Sequence, residues 1–174
     1  MKTAVIYASK HGTTRCVAQK IKDLLSGDEV VLFNLDNQNR IELSHFGRIL
    51  IGSPLYSGTP LPAVRKFIEQ NLLFLLQKEI GIFVCCMFFD KVEKQIIKGF
   101  PEVLRNHARS IKNMGGEYRF EEMNYIERLV VKKISGATGS VSEINVRNIE
   151  LFVRELTAST SLPSLNLSDS FVKL

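Results

Sequence analysis

Short apolar strands alternate with helical segments along this chain, and that alternation constrains the fold more than any other feature of the sequence. The first strand, residues 2–8, is rich in β-branched and aromatic residues. Its continuous apolar character is typical of a parallel strand that is buried on both faces. Helical segments separate it from four further predicted strands at residues 29–35, 48–52, 79–87 and 117–123. The alternation predicts a parallel sheet with helices on both faces.

The topology follows from the right-handed crossover between parallel strands, which leaves few arrangements. We predict an α/β fold with a doubly wound, five-stranded parallel sheet of strand order 2-1-3-4-5. Ligands of such sheets bind beyond the carboxyl ends of the strands, where the strand order reverses. Three loops are expected at that end, and they cover residues 9–14, 53–60 and 88–99.

The second half of the chain is predicted to be mainly helical. A helix begins at Pro101 and is expected to run to about Met114, where Gly115 and Gly116 end it. An amphipathic helix is predicted over residues 125–134. The last helix carries four apolar residues at helical spacing, and these are Ile149, Phe152, Val153 and Leu156.

Length and composition indicate one domain. The chain has 174 residues, of which 45% are hydrophobic and 24% charged, as in ordinary globular proteins. We assign residues 1–156 to the domain and the Ser/Thr-rich residues 157–174 to a loosely docked tail. No apolar stretch approaches the ~20 residues of a membrane-spanning helix. Three cysteines without metal-ligand spacing fit a reducing compartment, so we expect a cytoplasmic protein without a bound metal ion.

The first loop has the composition of a phosphate-binding loop. Ser9, Thr13 and Thr14 offer hydroxyl groups, and backbone N–H groups are free where the loop enters a helix. Gly12 allows the backbone to approach a ligand closely. The loop matches neither the nucleoside-triphosphate pattern nor GxGxxG, and it contains no arginine, so Lys10 is the only flanking charge. An alternative interpretation is that Thr13 or Thr14 merely caps the helix.

The second loop offers a surface for a planar ring. Residues 52–58 (GSPLYSG) follow the third strand at the same edge of the sheet. Tyr56 has a flat aromatic face, and the Ser and Gly residues around it can present backbone groups to the polar rim of a heterocycle. Taken alone, Tyr56 also fits a partly exposed loop residue. Its pairing with a phosphate loop on a neighbouring strand end favours a ligand site.

These two loops resemble those of the flavodoxin family. The stretch VIYASKHGTTRCVAQKI is similar to the family's phosphate loop, of pattern S/T-x-x-G-x-T, and GSPLYSGTP to its second flavin loop. The resemblance covers residues 1–156. It implies a non-covalently bound FMN, with the phosphate on the first loop and the isoalloxazine ring between the second and third loops.

The resemblance also implies which residues hold FMN. The phosphate would be bound by Ser9, His11, Gly12, Thr13 and Thr14. The ring would be lined by Ser53, Pro54, Leu55, Tyr56, Ser57 and Gly58. Phe88 or Phe89 would cover its other face, although two Phe after a strand also fit the core. No catalytic side chain is assigned, because the hard chemistry of a flavoprotein belongs to the flavin.

A second resemblance concerns residues 125–141. This region, above all VVKKISGATGS, is similar to the region before the last helix in the menaquinone-dependent protoporphyrinogen oxidases of the flavodoxin fold. The similarity implies an oxidoreductase that takes hydrogens from a porphyrinogen-like substrate and passes electrons to a quinone.

Charge and the remaining motifs leave three functions open. The net charge of +5 favours an FMN-dependent oxidoreductase, because flavodoxins that carry electrons between protein partners are typically acidic. The carrier, with a redox partner protein, is the first alternative, and a module that has lost the cofactor is the second. The basic and apolar residues of the helix at 125–134 fit either a peripheral membrane contact or an ordinary solvated face. No nucleic-acid-binding motif is present.

Overall fold

A computed structural model of the chain has a parallel sheet between two layers of helices. It describes residues 1–38, 40–56 and 58–158. Five parallel strands lie side by side in the order β2-β1-β3-β5-β6, and the two-residue strand β4 (Thr59–Pro60) pairs antiparallel with the end of β3. Their bounds are β1 (Lys2–Tyr7), β2 (Glu29–Asn34), β3 (Arg48–Tyr56), β5 (Glu79–Cys85) and β6 (Ser110–Asn113). The doubly wound fold and the predicted strand order are therefore confirmed, although the fifth strand of the sheet is β6 and not the predicted strand at residues 117–123.

Helices cover both faces of this sheet. Helices α1 (Thr13–Leu24) and α6 (Val146–Thr157) pack on one face. The other face carries α2 (Pro62–Leu75), α3 (Val92–Gly99) and α4 (Glu102–His107). No helix in the described part of the chain is both long and apolar enough to cross a bilayer.

Each central strand contributes side chains to two hydrophobic cores, one on each face of the sheet. In β1, Ala4 and Ile6 point to the core under α2, whereas Val5 and Tyr7 point to the core under α1 and α6. All four side chains are buried, which explains why the strand has a continuous apolar sequence rather than an alternating one. The rigid centre of the sheet thus fixes the strand ends from which the three predicted loops depart.

The second half of the chain departs from the sequence prediction. The helix expected from Pro101 to Met114 ends at His107, and β6 follows it as the edge strand of the sheet. The predicted strand at residues 117–123 is wrong, because β7 (Gly115–Tyr118) pairs antiparallel with β8 (Val141–Ile144) outside the main sheet. Helix α3 lies in a stretch that we expected to be a loop.

The close approach of two strands explains why residue 115 is glycine. Gly115 has a φ of +73°, and a Cβ there would lie 1.9 Å from the carbonyl oxygen of Glu143. Only glycine allows β7 to pair so closely with β8, so Gly115 serves a strand pair and not a helix end.

The two remaining helices agree with the prediction. Helix α5 (Tyr125–Ser135) begins at an Asn124 capping box and ends at Gly136 in the left-handed conformation. Helix α6 buries the four predicted apolar residues. The tail predicted over residues 157–174 lies outside the described residues beyond Ala158.

Candidate functional site

A cavity of about 530 Å³ opens beyond the carboxyl ends of β1, β3 and β5. Its volume is within the range of ~300–1,000 Å³ that is usual for small-molecule sites. The order β2-β1-β3 reverses direction between β1 and β3, so the cavity lies at the topological switch point. Residues of β7 and α5 close its remaining side.

The start of α1 forms one end of the cavity, and its one side-chain cap in the described part of the chain is a 3.4 Å bond from the Arg15 amide to the Ser9 hydroxyl. Gly12 is the N-cap residue, has a φ of +82°, and provides no side-chain hydrogen bond, and the first turn holds no acidic residue. Among the described residues, no acceptor binds the amide nitrogens of Thr13 and Thr14. These free N–H groups and the positive end of the helix dipole attract anions.

Thr14 is a buried polar residue at this end of the cavity. Its side chain is 1% exposed and lines the cavity. Its hydroxyl has no oxygen or nitrogen partner in the described structure, and its polar contact is a weak hydrogen bond with the Cys85 thiol. The thiol of Cys85 is a polar neighbour, and burial raises the pKa of that thiol to about 12, so it stays protonated. A thiol is a weak hydrogen-bond partner, so it offsets only part of the ~1–3 kcal/mol cost of burying a hydroxyl, and a ligand oxygen would offset more.

Thr13 faces a carboxylate from a distant strand. Its hydroxyl lies 3.4 Å from Oε2 of Glu117 on β7. Burial alone would raise the pKa of Glu117, but hydrogen bonds from Ser142 and Arg119 and the Arg119 charge together lower it. Glu117 is therefore ionised at neutral pH, and it holds Arg119 through a 2.7 Å bond from Nε.

A second carboxylate ties α5 to the first loop. Glu127 forms an ion pair with Lys10, and His11 Nε2 lies 3.6 Å from the same carboxylate oxygen. The hydrogen bond from Lys10 is the main cause of the lowered pKa of Glu127. Because α5 contributes Ile126, Val130 and Val131 to the cavity lining, this ion pair holds an apolar wall in place.

Tyr56 stands at the end of β3 and lines the cavity. Its ring is edge-on to the His11 ring, with 6.3 Å between the centroids, and the Lys10 ammonium lies 5.6 Å from its centroid. Burial is the main reason that the pKa of Tyr56 is raised to about 12. The residue is thus a neutral aromatic surface at any ordinary pH.

The structure brings most of the predicted site residues together. Those that line the cavity are Ser9, His11, Thr13, Thr14, Pro54, Leu55, Tyr56, Gly58 and Phe88. The loops that carry them leave adjacent strands, as the sheet topology requires. Ser57 lies outside the described residues.

Three predicted residues lie elsewhere. Ser53 is fully buried, and its hydroxyl accepts a bond from Leu61 N at 3.0 Å, which holds the start of α2. Phe89 begins a short 3₁₀ helix and does not line the cavity. Gly12 does not line it either, but shapes the turn into α1.

The sequence interpretation missed the wall that β7 and α5 provide. Arg119 follows β7 and lies against the start of α1 without lining the cavity itself. Its Nη2 lies 3.5 Å from Cys16 Sγ although 103 residues separate the two. No local pattern reveals such a contact. The apolar spacing of Ile126 and Val130 was visible in the predicted amphipathic helix. The sequence did not show that this apolar face lines the cavity.

The described side chains of the cavity supply binding groups rather than reactive ones. Burial raises the pKa of Cys86 as well as that of Cys85, so neither thiol is an activated nucleophile. No cluster of three or more potential metal ligands occurs among the described residues. The arrangement is suited to hold an anion at α1 and a flat apolar body beside Tyr56.

Comparison with known families and with curated proteins gives two results. Residues 4–145 match the family model described as a flavodoxin domain. Curated proteins yield no match.

Solved structures with a similar fold include two flavodoxins and part of a larger enzyme. A short-chain flavodoxin associated with a non-canonical PDU bacterial microcompartment aligns with a TM-score of 0.58, 13% identity, 90% of this chain and 96% of that chain. Oxidised flavodoxin 1 from Bacillus cereus aligns with a TM-score of 0.53 and 15% sequence identity. The alignment covers 90% of this chain and 97% of that flavodoxin. Rubredoxin oxygen:oxidoreductase from Desulfovibrio gigas aligns with a TM-score of 0.55 and 15% sequence identity. The alignment covers 90% of this chain but only 37% of that enzyme. At these identities the likeness concerns the fold alone.

Proposed function

This chain belongs to the flavodoxin domain family, and from that premise we propose that it binds FMN in the cavity and acts in electron transfer. The observation that carries the proposal is the buried hydroxyl of Thr14, which has no oxygen or nitrogen partner, beside the free amides of Thr13 and Thr14 at the start of α1. A phosphate group would satisfy both the hydroxyl and the free amides. The FMN predicted from the sequence agrees with membership of this family.

The chain's own residues divide the binding between two ends of the cavity. Ser9, His11, Thr13 and the α1 amides surround the phosphate end. Tyr56 offers the flat face for the ring, and Phe88 lines the cavity after β5. The bound flavin would supply the one- or two-electron chemistry. The protein would orient the ring and limit its contact with water through the apolar wall of α5.

Replacement of Thr14 by Val tests the phosphate end. Val has nearly the same shape and no hydroxyl. We expect Thr14→Val to weaken FMN binding about 10- to 100-fold, as the loss of a hydrogen bond to a charged group would. The variant should unfold at the same or slightly higher temperature, because the substitution removes a buried hydroxyl that has no oxygen or nitrogen partner. Dissociation constants follow from the quenching of FMN fluorescence.

Thr157→Val is the matched control. The Thr157 hydroxyl donates to the carbonyl of Val153 in the last turn of α6, away from the cavity, so FMN affinity should not change. If the unaltered protein does not bind FMN, the proposed function is wrong. If it binds FMN and Thr14→Val binds equally well, Thr14 has no role at the phosphate.

An FMN-dependent oxidoreductase with an apolar substrate, such as a quinone, is a second candidate. The observation that favours it is the exposed apolar surface of α5 beside the cavity. Ile126 is 71% exposed and lines the cavity, and Tyr125, Leu129 and Val130 are exposed next to it. The basic residues Arg128, Lys132 and Lys133 on the same helix would suit the carboxylates of a porphyrinogen-like substrate or the surface of a membrane.

Turnover with a water-soluble quinone separates this enzyme from a carrier. The FMN-loaded protein, kept reduced under anaerobic conditions by an excess of a chemical reductant that does not itself reduce the quinone, should reduce the quinone repeatedly without any partner protein. The double change Ile126→Ser and Val130→Ser should raise the KM for the quinone, whereas Leu73→Ser, at an 80% exposed position of α2, should not. Absence of turnover until a protein partner is added would favour the carrier.

A further inference from the structure

We propose that Arg119 binds the phosphate of FMN and makes the site prefer FMN to riboflavin, an assignment that rests on the FMN site proposed above. Arg119 follows β7, yet its guanidinium lies over the first turn of α1. Nη1 is 3.2 Å from the position that a Cβ would occupy at Gly12. Nη2 is 3.5 Å from the sulfur of Cys16.

Glu117 pairs with Arg119 through one edge of the guanidinium, and the Arg119 side chain is 33% exposed. A guanidinium beside the positive end of a helix dipole is unfavourable unless an anion lies nearby. Glu117 neutralises one edge of the group, at Nε. Nη1 forms no hydrogen bond among the described residues, and neither do the adjacent amides of Thr13 and Thr14. Nη1 thus lies beside the start of α1, where Thr13 and Thr14 line the end of the cavity, although Arg119 itself is not part of the lining.

The carboxylates around the region are already engaged. Glu117 accepts bonds from Arg119 at 2.7 Å and from Ser142 at 2.8 Å. Glu127 is paired with Lys10 and lies near His11. The buried hydroxyl of Thr14, which has the Cys85 thiol but no oxygen or nitrogen as a partner, is a further donor at this end of the cavity. A dianionic phosphate is the group that would use Nη1, the amides and this hydroxyl together.

Gly12 fits the same arrangement. Its φ of +82° favours glycine, and the Arg119 guanidinium fills the space that a side chain would need. Glu117 is a positioning residue, because its carboxylate holds Nε and leaves the other edge of the guanidinium for a ligand. Arginine retains its charge at any working pH and can bind phosphate through two parallel bonds.

The test compares FMN with riboflavin, which lacks the phosphate. Dissociation constants for both flavins are measured by fluorescence quenching in the unaltered protein, in Arg119→Gln, and in Arg119→Lys. We expect Arg119→Gln to weaken FMN binding about 10- to 100-fold and to leave riboflavin binding unchanged. Arg119→Lys should recover part of the loss. The salt dependence of FMN binding should decrease in Arg119→Gln, because one phosphate contact is lost.

Arg154→Gln is the control, since Arg154 is exposed in the last turn of α6 and outside the cavity. Unchanged riboflavin affinity shows at the same time that Arg119→Gln is folded. A protein that binds neither flavin overturns the proposed function itself. A protein that binds FMN, but whose affinities for both flavins change equally or not at all in Arg119→Gln, overturns the role of Arg119.

Discussion

Tyr56 shows how one side chain combines packing with a ligand surface. Its ring lies against Lys10 and His11 while it borders the cavity. If the flavin ring stacks on Tyr56, Tyr56→Leu should weaken FMN binding by about 1–3 kcal/mol, and Tyr56→Phe should retain most of the affinity. Tyr125→Leu is the control, because Tyr125 is 74% exposed and outside the cavity lining. An unchanged dissociation constant for Tyr56→Leu would exclude stacking.

The ionisation of Tyr56 leads to a separate prediction for stability at high pH. Burial raises the pKa of Tyr56 to about 12 in the folded protein, against about 10 in an unfolded chain. The stabilising contribution of the neutral phenol is complete below pH 10 and is lost as the pH rises towards 12. Tyr56→Phe should therefore resist alkaline unfolding better than the unaltered protein, as measured by circular dichroism. Coincident alkaline transitions would contradict this.

Single residues also show the limit of prediction from sequence. The first loop was informative because its hydroxyls, glycine and helix start are neighbours in the chain. Ser53 has the same polar character, but its hydroxyl is consumed by the Leu61 amide. Glu127 reaches the cavity and Arg119 reaches the start of α1 from distant segments, and no local pattern identifies such residues.

At the scale of elements, α5 and α6 have similar caps and different surroundings. Asn124 caps α5 and Asn145 caps α6, each through its side-chain oxygen. Helix α6 buries four apolar side chains in the core, whereas α5 contains no residue classed as fully buried among those described. The stability of α5 thus depends more on its cap and on the Lys10 ion pair.

We expect Asn124→Ala and Asn145→Ala to act on different parts of the protein. Each loses a cap worth about 1 kcal/mol. Asn145→Ala should lower the global free energy of unfolding by that amount. Asn124→Ala should leave it unchanged and speed amide hydrogen exchange within α5 alone. Loss of global stability in Asn124→Ala equal to that of Asn145→Ala would show that α5 unfolds together with the core.

Elements were predictable from the sequence where burial was complete. Strands β1, β3 and β5 are covered on both faces and have continuous apolar sequences. The edge strand β6 has one neighbour in the sheet and a mixed sequence, SIKN. The sequence predicted a helix to about Met114 because Gly115 and Gly116 follow it, but tertiary pairing with β5 decided the structure.

At the scale of the molecule, the carboxyl and amino ends of the parallel strands have different roles. The cavity lies at the carboxyl ends of the strands, and a buried ionic network lies at the amino ends. Arg48, which is 5% exposed, bonds Asp28 at 2.7 Å, Glu79 at 2.6 Å and the carbonyl of Leu156 at 2.8 Å. This network joins β3, β5, the start of β2 and the end of α6, so it should serve stability and not ligand binding.

Arg48→Met tests this separation. Removal of one partner from a buried ionic network typically costs about 3–5 kcal/mol, because the remaining charges lose compensation. We expect a loss of about 3 kcal/mol in the free energy of unfolding by urea, because Asp28 and Glu79 retain some contact with water. The dissociation constant for FMN should not change under conditions where the variant is folded. Arg154→Met, at an exposed position, should alter stability by less than about 0.5 kcal/mol.

The pH dependence of Arg48→Met follows from Asp28. Burial alone would raise the pKa of Asp28, but hydrogen bonds from the Met1 amino group and Thr3, together with the Arg48 charge, lower it. The contribution of this carboxylate is therefore present above its unfolded pKa of about 3.9 and is lost as the pH falls through the folded value. The stability difference between the two proteins should be largest near neutral pH and shrink below about pH 4. A constant difference across that range, or a weakened affinity for FMN, would show that the ionic edge and the cavity are not independent.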